Sequence, residues 1–390
     1  MLDDAQTDPS PDQDGTGYLP KDLLLLGAGH AHVQVLAHLA RHRMTGARIT
    51  LIAPHGRQLY SGMLPGFIAG RYTLDQCAIA LEPLVRQSNI RWLRRSVRGL
   101  DAQTQQVVLD DGATLHYDWL SVNTGPVQNR ALLDIRIPGI REHSLFLRPL
   151  ESFAALWPKV LDLAQQRPLR IAVIGNGAAG IELALAIRNR LPQSALTLIG
   201  PQPAGANYPP AVQTMLGAAL RQQHITVLMD GVVAVRQDEL SLASGARLAC
   251  DVSVVAVGAQ APAWLQGSGL ALDAQGFIAV NAFQQSTSHP QVLAAGDVCS
   301  RVDRPIARSG VYAVRSGPVL AHNLGQLVAG AALKAHQPPR QTLNLLSLGN
   351  GRAIVSWGRL AGMGRIWWWL KHRIDTRFIA RYAASKVKPS

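Results

Sequence analysis

A chain of 390 residues is long enough for two or three domains, each with its own core. Apolar residues make up 47% and charged residues 16%, a globular balance that excludes a disordered protein. The formal charge of +13 calls for an anionic partner, a nucleotide or an acidic membrane surface; without an Arg-rich arm or a nucleic-acid motif, nucleic acid is not expected.

Residues 1–20 hold five Asp, no Lys or Arg, and several Pro and Gly, and they read as a disordered tail. Leu23 to His32, LLLLGAGHAH, follows at once. Four leucines are too few to cross a membrane and suit a strand buried on both faces of a parallel sheet. Gly27 and Gly29 then make a turn, and Val33, Leu36, Ala37 and Ala40 recur at helical steps. Strand, glycine turn and helix form a dinucleotide-binding opening, in which Gly27 turns the chain and Gly29 admits a pyrophosphate to the backbone. The first helical N–H groups are expected to face that anion. His32 stands where the third glycine would be. His30 and His32 either donate to the pyrophosphate or are side chains of an unusual first turn. The second strand ends Ala53-Pro54-His55, without the acid that usually holds the adenosine ribose.

The loop 59–70, LYSGMLPGFIAG, reads as a functional loop against a bound ring, with Met63, Leu64 and Pro65 as contacts. A helix is expected over 75–87 and a hairpin turn at Asp111-Gly112. The strand in 118–125 ends in Thr124-Gly125. A helix is expected over 150–166. Residues 171–182, IAVIGNGAAGIE, then repeat the opening with Gly175, Gly177 and Gly180 at full spacing. The second strand of this unit ends in Gly200, with neither the acid that favours NAD nor an arginine for NADP, so NADH and NADPH both stay open. The exit strand ends in Gly258. Residues 292–297, VLAAGD, bring a buried strand to Gly296 and Asp297.

These three fragments, in this order, resemble the pyridine nucleotide–disulfide oxidoreductase superfamily. The resemblance implies an α/β fold with two Rossmann-like domains binding FAD and NAD(P). It places a discontinuous FAD-binding domain at 21–149 and 263–335, an NAD(P)-binding domain at 150–262, and a small C-terminal region at 336–390. It assigns Asp297 to the ribitol of FAD, and Glu182 to a place near nicotinamide and flavin. It sets the helix of 309–327 with its N-terminus at the flavin, Val314 and Arg315 included, where its dipole stabilises negative charge. GAGHAHVQVL, YSGMLPG and the Trp-rich end together resemble the FAD-dependent oxidoreductases associated with selenide, water dikinase, a branch close to the type II NADH dehydrogenases. That implies oxidation of NADH or NADPH, with a quinone as first acceptor. The alternatives are reduction of a selenium or sulfur species for selenophosphate synthesis, or a flavin-containing accessory protein with selenide, water dikinase as partner. Where the type II enzymes carry two glutamines at the quinone, Arg315 and Ser316 stand here.

Cys77, Cys250 and Cys299 are far apart and form no C-x-x-C pair, so no redox-active disulfide is expected. Few cysteines and no signal peptide point to the cytoplasm. No metal site is expected; His38 and His42 lie one helical turn apart without a third ligand. No apolar run reaches about 18 residues, so no transmembrane helix is expected. At the C-terminal end, Trp367, Leu370, Ile374 and Phe378 recur at helical steps beside Arg373, Arg377 and Arg381. This pattern predicts an amphipathic helix lying on the inner face of the cell membrane, or one whose tryptophans pack as core on the flavin domain or on a second subunit of a homodimer.

Overall fold

A computed structural model describes residues 20–383. The expected tail, apart from Pro20, lies outside these residues. The first sheet is wholly parallel, in the order Val292–Ala294, Trp119–Val122, Lys21–Leu26, Ala47–Ile52, Arg91–Leu93. The four leucines explain its centre. Leu23 and Leu25 enter one core and Leu24 and Leu26 another, because successive side chains of a strand leave opposite faces. The helix His30–Leu39 follows, and it packs on the helix Gly310–Val328.

The second sheet repeats this plan. Its parallel order is Ser144–Phe146, Val252–Val255, Arg170–Ile174, Ala195–Ile199, Thr226–Leu228. Ile171 and Val173 face one core and Ala172 and Ile174 the other. In both units a three-stranded antiparallel meander precedes the exit strand: Val97–Asp101, Gln106–Leu109, Thr114–His116 in the first, and Val232–Val235, Glu239–Leu242, Arg247–Ala249 in the second. The fold is α/β with two Rossmann-like units.

Three local expectations change. Ser144–Phe146 precedes the expected boundary at 150, yet pairs with Val252–Val255, and the Ser144 and Ser253 hydroxyls meet at 2.7 Å. The helix expected over 75–87 is the 3₁₀ turn Asp75–Cys77, the strand Ala78–Ala80 and the helix Leu81–Ser88. Pro83, which lacks an N–H, sits in the first turn of this helix, where its missing donor breaks no intrahelical bond. The third change is in the C-terminal region, which comprises an antiparallel sheet (Asn344–Ser347, Ala353–Trp357, Leu360–Gly364) and the helix Arg365–Arg381. The inward face of that helix is Lys371, Asp375 and Phe378, not the expected stripe of Trp367, Leu370, Ile374 and Phe378; Ile374 is 42% exposed and Asp375 4%. An acid can face inward here because Lys371, one turn earlier, pairs with it. Among the described residues, no helix is long and apolar enough to cross a membrane.

Candidate functional site

Three chain segments build the first glycine turn. Gly27 has φ +81°, and a Cβ there would collide with the backbone of Asn123 and Thr124. The Gly29 N–H donates to the Asn123 carbonyl at 3.1 Å. The Asn123 side chain then caps the helix. Its Oδ1 accepts from the N–H groups of Ala31 (3.1 Å) and His32 (3.0 Å), and its Nδ2 donates to the Ala295 carbonyl at 2.5 Å. Two of the first-turn donors expected to face an anion are thus already satisfied, which leaves the His30 N–H for that role.

His32 is not a ligand. It is fully buried, with Nδ1 at 2.5 Å from the Gly27 carbonyl and Nε2 at 2.8 Å from the Ser121 hydroxyl. Nδ1–H donates and Nε2 accepts, so the ring fixes the underside of the turn that a third glycine would leave empty. Burial lowers its pKa to about 4, opposed by the Gly27 bond, and keeps it neutral. His30 is different. It lines the cavity beside Tyr60, at 5.2 Å between ring centroids, and its Nε2 has no partner among the described residues. Burial, aided by the charge of Arg148, lowers its pKa to about 4.

A cavity of about 800 Å³ runs from Gly29 and His30 past Thr124, Gly125 and Asp297 to Ala178, Ala179 and Glu182. It lies in the size range of small-molecule sites, about 300–1,000 Å³. Gly125 has φ +74°. Gly296 has φ +77°, and a Cβ there would lie 2.8 Å from Asn123 Nδ2. Burial raises the pKa of Asp297, against the charges of Arg148 and Arg308. Burial in turn lowers that of Arg148, against Asp297 and Glu151. On the loop 59–70, Tyr60, Ser61 and Gly62 line the cavity. Met63, Leu64 and Pro65 lie buried outside the lining, with Leu64 in the core of the second unit. On the helix Gly310–Val328, Gly310, Val311 and Ala313 face the cavity. The Val314 carbonyl accepts from Gln34 Nε2 at 2.5 Å, and Arg315 is exposed. The expected contact is therefore made by the preceding turn, since a few positions along a helix change the face presented.

The second glycine turn divides its roles. A Cβ on Gly180 would collide with the Gly175 carbonyl, and one on Gly175, at φ +113°, with the backbone of Ala256. A Cβ on Gly177 or Gly258 would meet nothing within 4 Å. Gly175 and Gly180 serve close packing, while Gly177, which caps the helix Ala178–Arg190, leaves the backbone open to a ligand.

Glu182 lies where the two units and the C-terminal region meet. Its Oε1 accepts from the Ser347 N–H at 2.7 Å. Burial raises its pKa, against the Lys371 charge and the Ser347 bond. Lys371 Nζ donates to Asp375 Oδ2 at 2.9 Å and to the Gly62 carbonyl at 2.8 Å. The Tyr60 hydroxyl is raised in pKa by burial, with Asp375 adding to it. Asn123, Arg148, Lys371 and Asp375 were not singled out from the sequence. The available signals were the asparagine directly before Thr124-Gly125 and the i, i+4 Lys–Asp spacing inside an arginine-rich helix.

Residues 21–323 match the family described as pyridine nucleotide-disulphide oxidoreductase. The chain belongs to that family, and it is an FAD-dependent NAD(P)H oxidoreductase. It is 25% identical over 272 residues to ferroptosis suppressor protein 1 of Taeniopygia guttata, spanning 66% of this chain and 69% of that protein. In fold it is similar to the sulfide:quinone oxidoreductase of Aquifex aeolicus, with a TM-score of 0.75 at 18% identity over 95% and 93% of the two chains. It is similar too to NDH2 of Plasmodium falciparum solved with NADH, with a TM-score of 0.75 at 12% identity over 93% and 98%. The residues present fit FAD: the first-turn His30 with its unpartnered neutral Nε2 and the half-buried Arg148 and Asp297 line one cavity of suitable size.

Proposed function

We propose that the chain oxidises NADH or NADPH at the second glycine turn and passes the electrons to a quinone-type acceptor at the end of the cavity closed by the C-terminal helix. The observation that carries this reading is the continuity of that cavity, which joins the first turn to Ala178, Glu182, Lys371 and Asp375. Bound FAD would supply the chemistry, hydride acceptance and onward release of electrons. The protein's part is binding, orientation and proton supply. The His30 N–H and Nε2, with Arg148, would hold the anionic chain of the cofactor, and Asp297 would accept from its ribitol, while Gly29 gives its N–H to Asn123 and lets the two segments pack closely. Gly177 admits the nicotinamide dinucleotide. Glu182 Oε2 holds the proton that the acceptor's oxygen takes up, while Oε1 stays fixed by Ser347. Leu343, Leu345 and Ile374 give that end of the cavity an apolar wall, suited to a lipophilic acceptor. The quinone chemistry named for the Aquifex relative agrees with this.

Ile366, 68% exposed, and Trp369, 52% exposed, lie on the outer face of the same helix, along which Arg365, Arg373 and Arg377 are also exposed. We propose that this face rests on an anionic membrane surface, from which such an acceptor is drawn. Arg315, a cation that would suit an anionic selenium or sulfur substrate, is exposed and does not line the cavity. The deciding experiment is anaerobic. NADH or NADPH should bleach the flavin, and a short-chain quinone should restore its colour. A reduced flavin that no quinone reoxidises would rule out the proposed acceptor.

A further inference from the structure

The second glycine turn carries Asn176 between its first two glycines. Asn176 Nδ2 donates to the Gln202 carbonyl, and its own carbonyl accepts from the Gly205 N–H at 3.2 Å. The loop after the strand Ala195–Ile199 is thereby folded back onto the turn. A Cβ on Gly200 would collide with the Asn176 amide. The end of that strand is where an acid selects the ribose of NAD, or a nearby arginine holds the 2′-phosphate of NADP. Here a neutral amide fills the space. From Leu191 to Leu220 the chain contains no Asp, Glu, Lys, Arg or His, in a protein of net charge +13. Asp230, beyond the next strand, is held by the Ser244 hydroxyl at 2.5 Å and by the Gly231 N–H at 2.7 Å.

We propose that Asn176 reads the adenosine ribose and that the enzyme uses NADH and NADPH with comparable efficiency, an inference that rests on the second turn being the nicotinamide site. Asn176 Oδ1 accepts from a ribose hydroxyl. From 191 to 220 the chain then offers a 2′-phosphate no carboxylate to repel it and no guanidinium to hold it, so this segment supplies neither element of discrimination.

Stopped-flow reduction of the holoenzyme by each nucleotide tests this. The two kcat/KM values should agree within about tenfold. A preference above about 100-fold for either nucleotide would overturn the proposal. Asn176→Ala should raise KM for both nucleotides by about fivefold with kcat unchanged, as expected for one lost hydrogen bond. An unchanged KM for both would remove Asn176 as the reader. Asn176→Gly combined with Gly200→Asp frees the space and supplies an acid, and should cut NADPH use by about 30-fold relative to NADH. An unchanged ratio in a folded, flavin-containing double variant would show that the ribose binds elsewhere. Reduction of a flavin-loaded wild type by neither nucleotide would instead overturn the assignment of the nicotinamide site.

Discussion

Lys371→Met tests the charge cluster most directly. Lys371 Nζ sits 2.9 Å from Asp375 Oδ2 and 2.8 Å from the Gly62 carbonyl, and the two paired side chains are only 14% and 6% exposed. Removing the cation leaves the Asp375 carboxylate buried without its partner, which typically costs about 3–5 kcal/mol. At roughly 2 °C per kcal/mol for a chain of this size, the melting temperature should fall by about 6–10 °C. The loss should depend on pH. Burial already raises the pKa of Glu182, and Lys371 restrains that rise. Without Lys371 it rises further. A carboxyl raised in the folded state contributes stability below its unfolded pKa, about 4.3, and loses it as pH increases through the folded value. The variant should therefore be least stable at high pH and recover as pH falls. Adding Asp375→Asn removes the unpaired charge and should restore most of the loss. Thermal melts at pH 6 and pH 8 give the answer. A single variant that melts with wild type at pH 8, or a double variant no better than the single, would refute the reasoning.

Asn123→Ala should lower stability by about 2–4 kcal/mol, because two helix N–H groups and the Ala295 carbonyl lose a buried partner; denaturant unfolding and the flavin-to-protein absorbance ratio should fall together, and a fully flavinated, equally stable variant would remove the residue from the site. Gly177→Val should keep FAD but slow reduction by both nucleotides by at least about 100-fold, since its side chain enters open space that the dinucleotide needs. Gly180→Ala should instead lower the melting temperature, because its Cβ would strike the Gly175 carbonyl; the reverse pattern in the two variants would disprove the division of roles. Ile366→Ser with Trp369→Ser should weaken sedimentation with anionic vesicles at low salt and leave flavin reduction in solution unchanged. Wild-type protein that stays in the supernatant at low salt would sink the membrane contact.

The sequence is explicit where backbone geometry restricts the side chain. Gly27, Gly175 and Gly180 mark close approaches that no other residue fits, and alternating burial of Leu23–Leu26 fixes a strand between two cores. It is less explicit where several segments meet. Whether His30 or His32 faces the ligand depends on where Ser121 lies, 89 residues from His32 in the chain. Met63, Leu64 and Pro65 belong to the right loop but lie behind the residues that face the cavity, and a dense apolar run gives no sign of its orientation. The arginines of the C-terminal helix drew attention to its outer face. Its inner face is set by one Lys–Asp pair, which in a pattern of apolar steps looks like an interruption.

The chain enters the first sheet, leaves it, and returns much later, and this sets an order of assembly. All strands of the second sheet come from the unbroken segment 144–255. The first sheet waits for Val292–Ala294, and the bond from Asn123 to Ala295 closes over 172 residues. During synthesis at about 5–20 residues per second, Trp119–Val122 therefore presents an unpaired edge for roughly 10–35 s. An open, apolar strand edge is a template for pairing with other chains. The second unit can be complete while the first is still exposed. A polypeptide stopped at residue 290 would carry a finished second unit joined to an aggregation-prone first unit. In a cell, the yield of active enzyme would then depend on how well that edge is shielded until the last strand arrives.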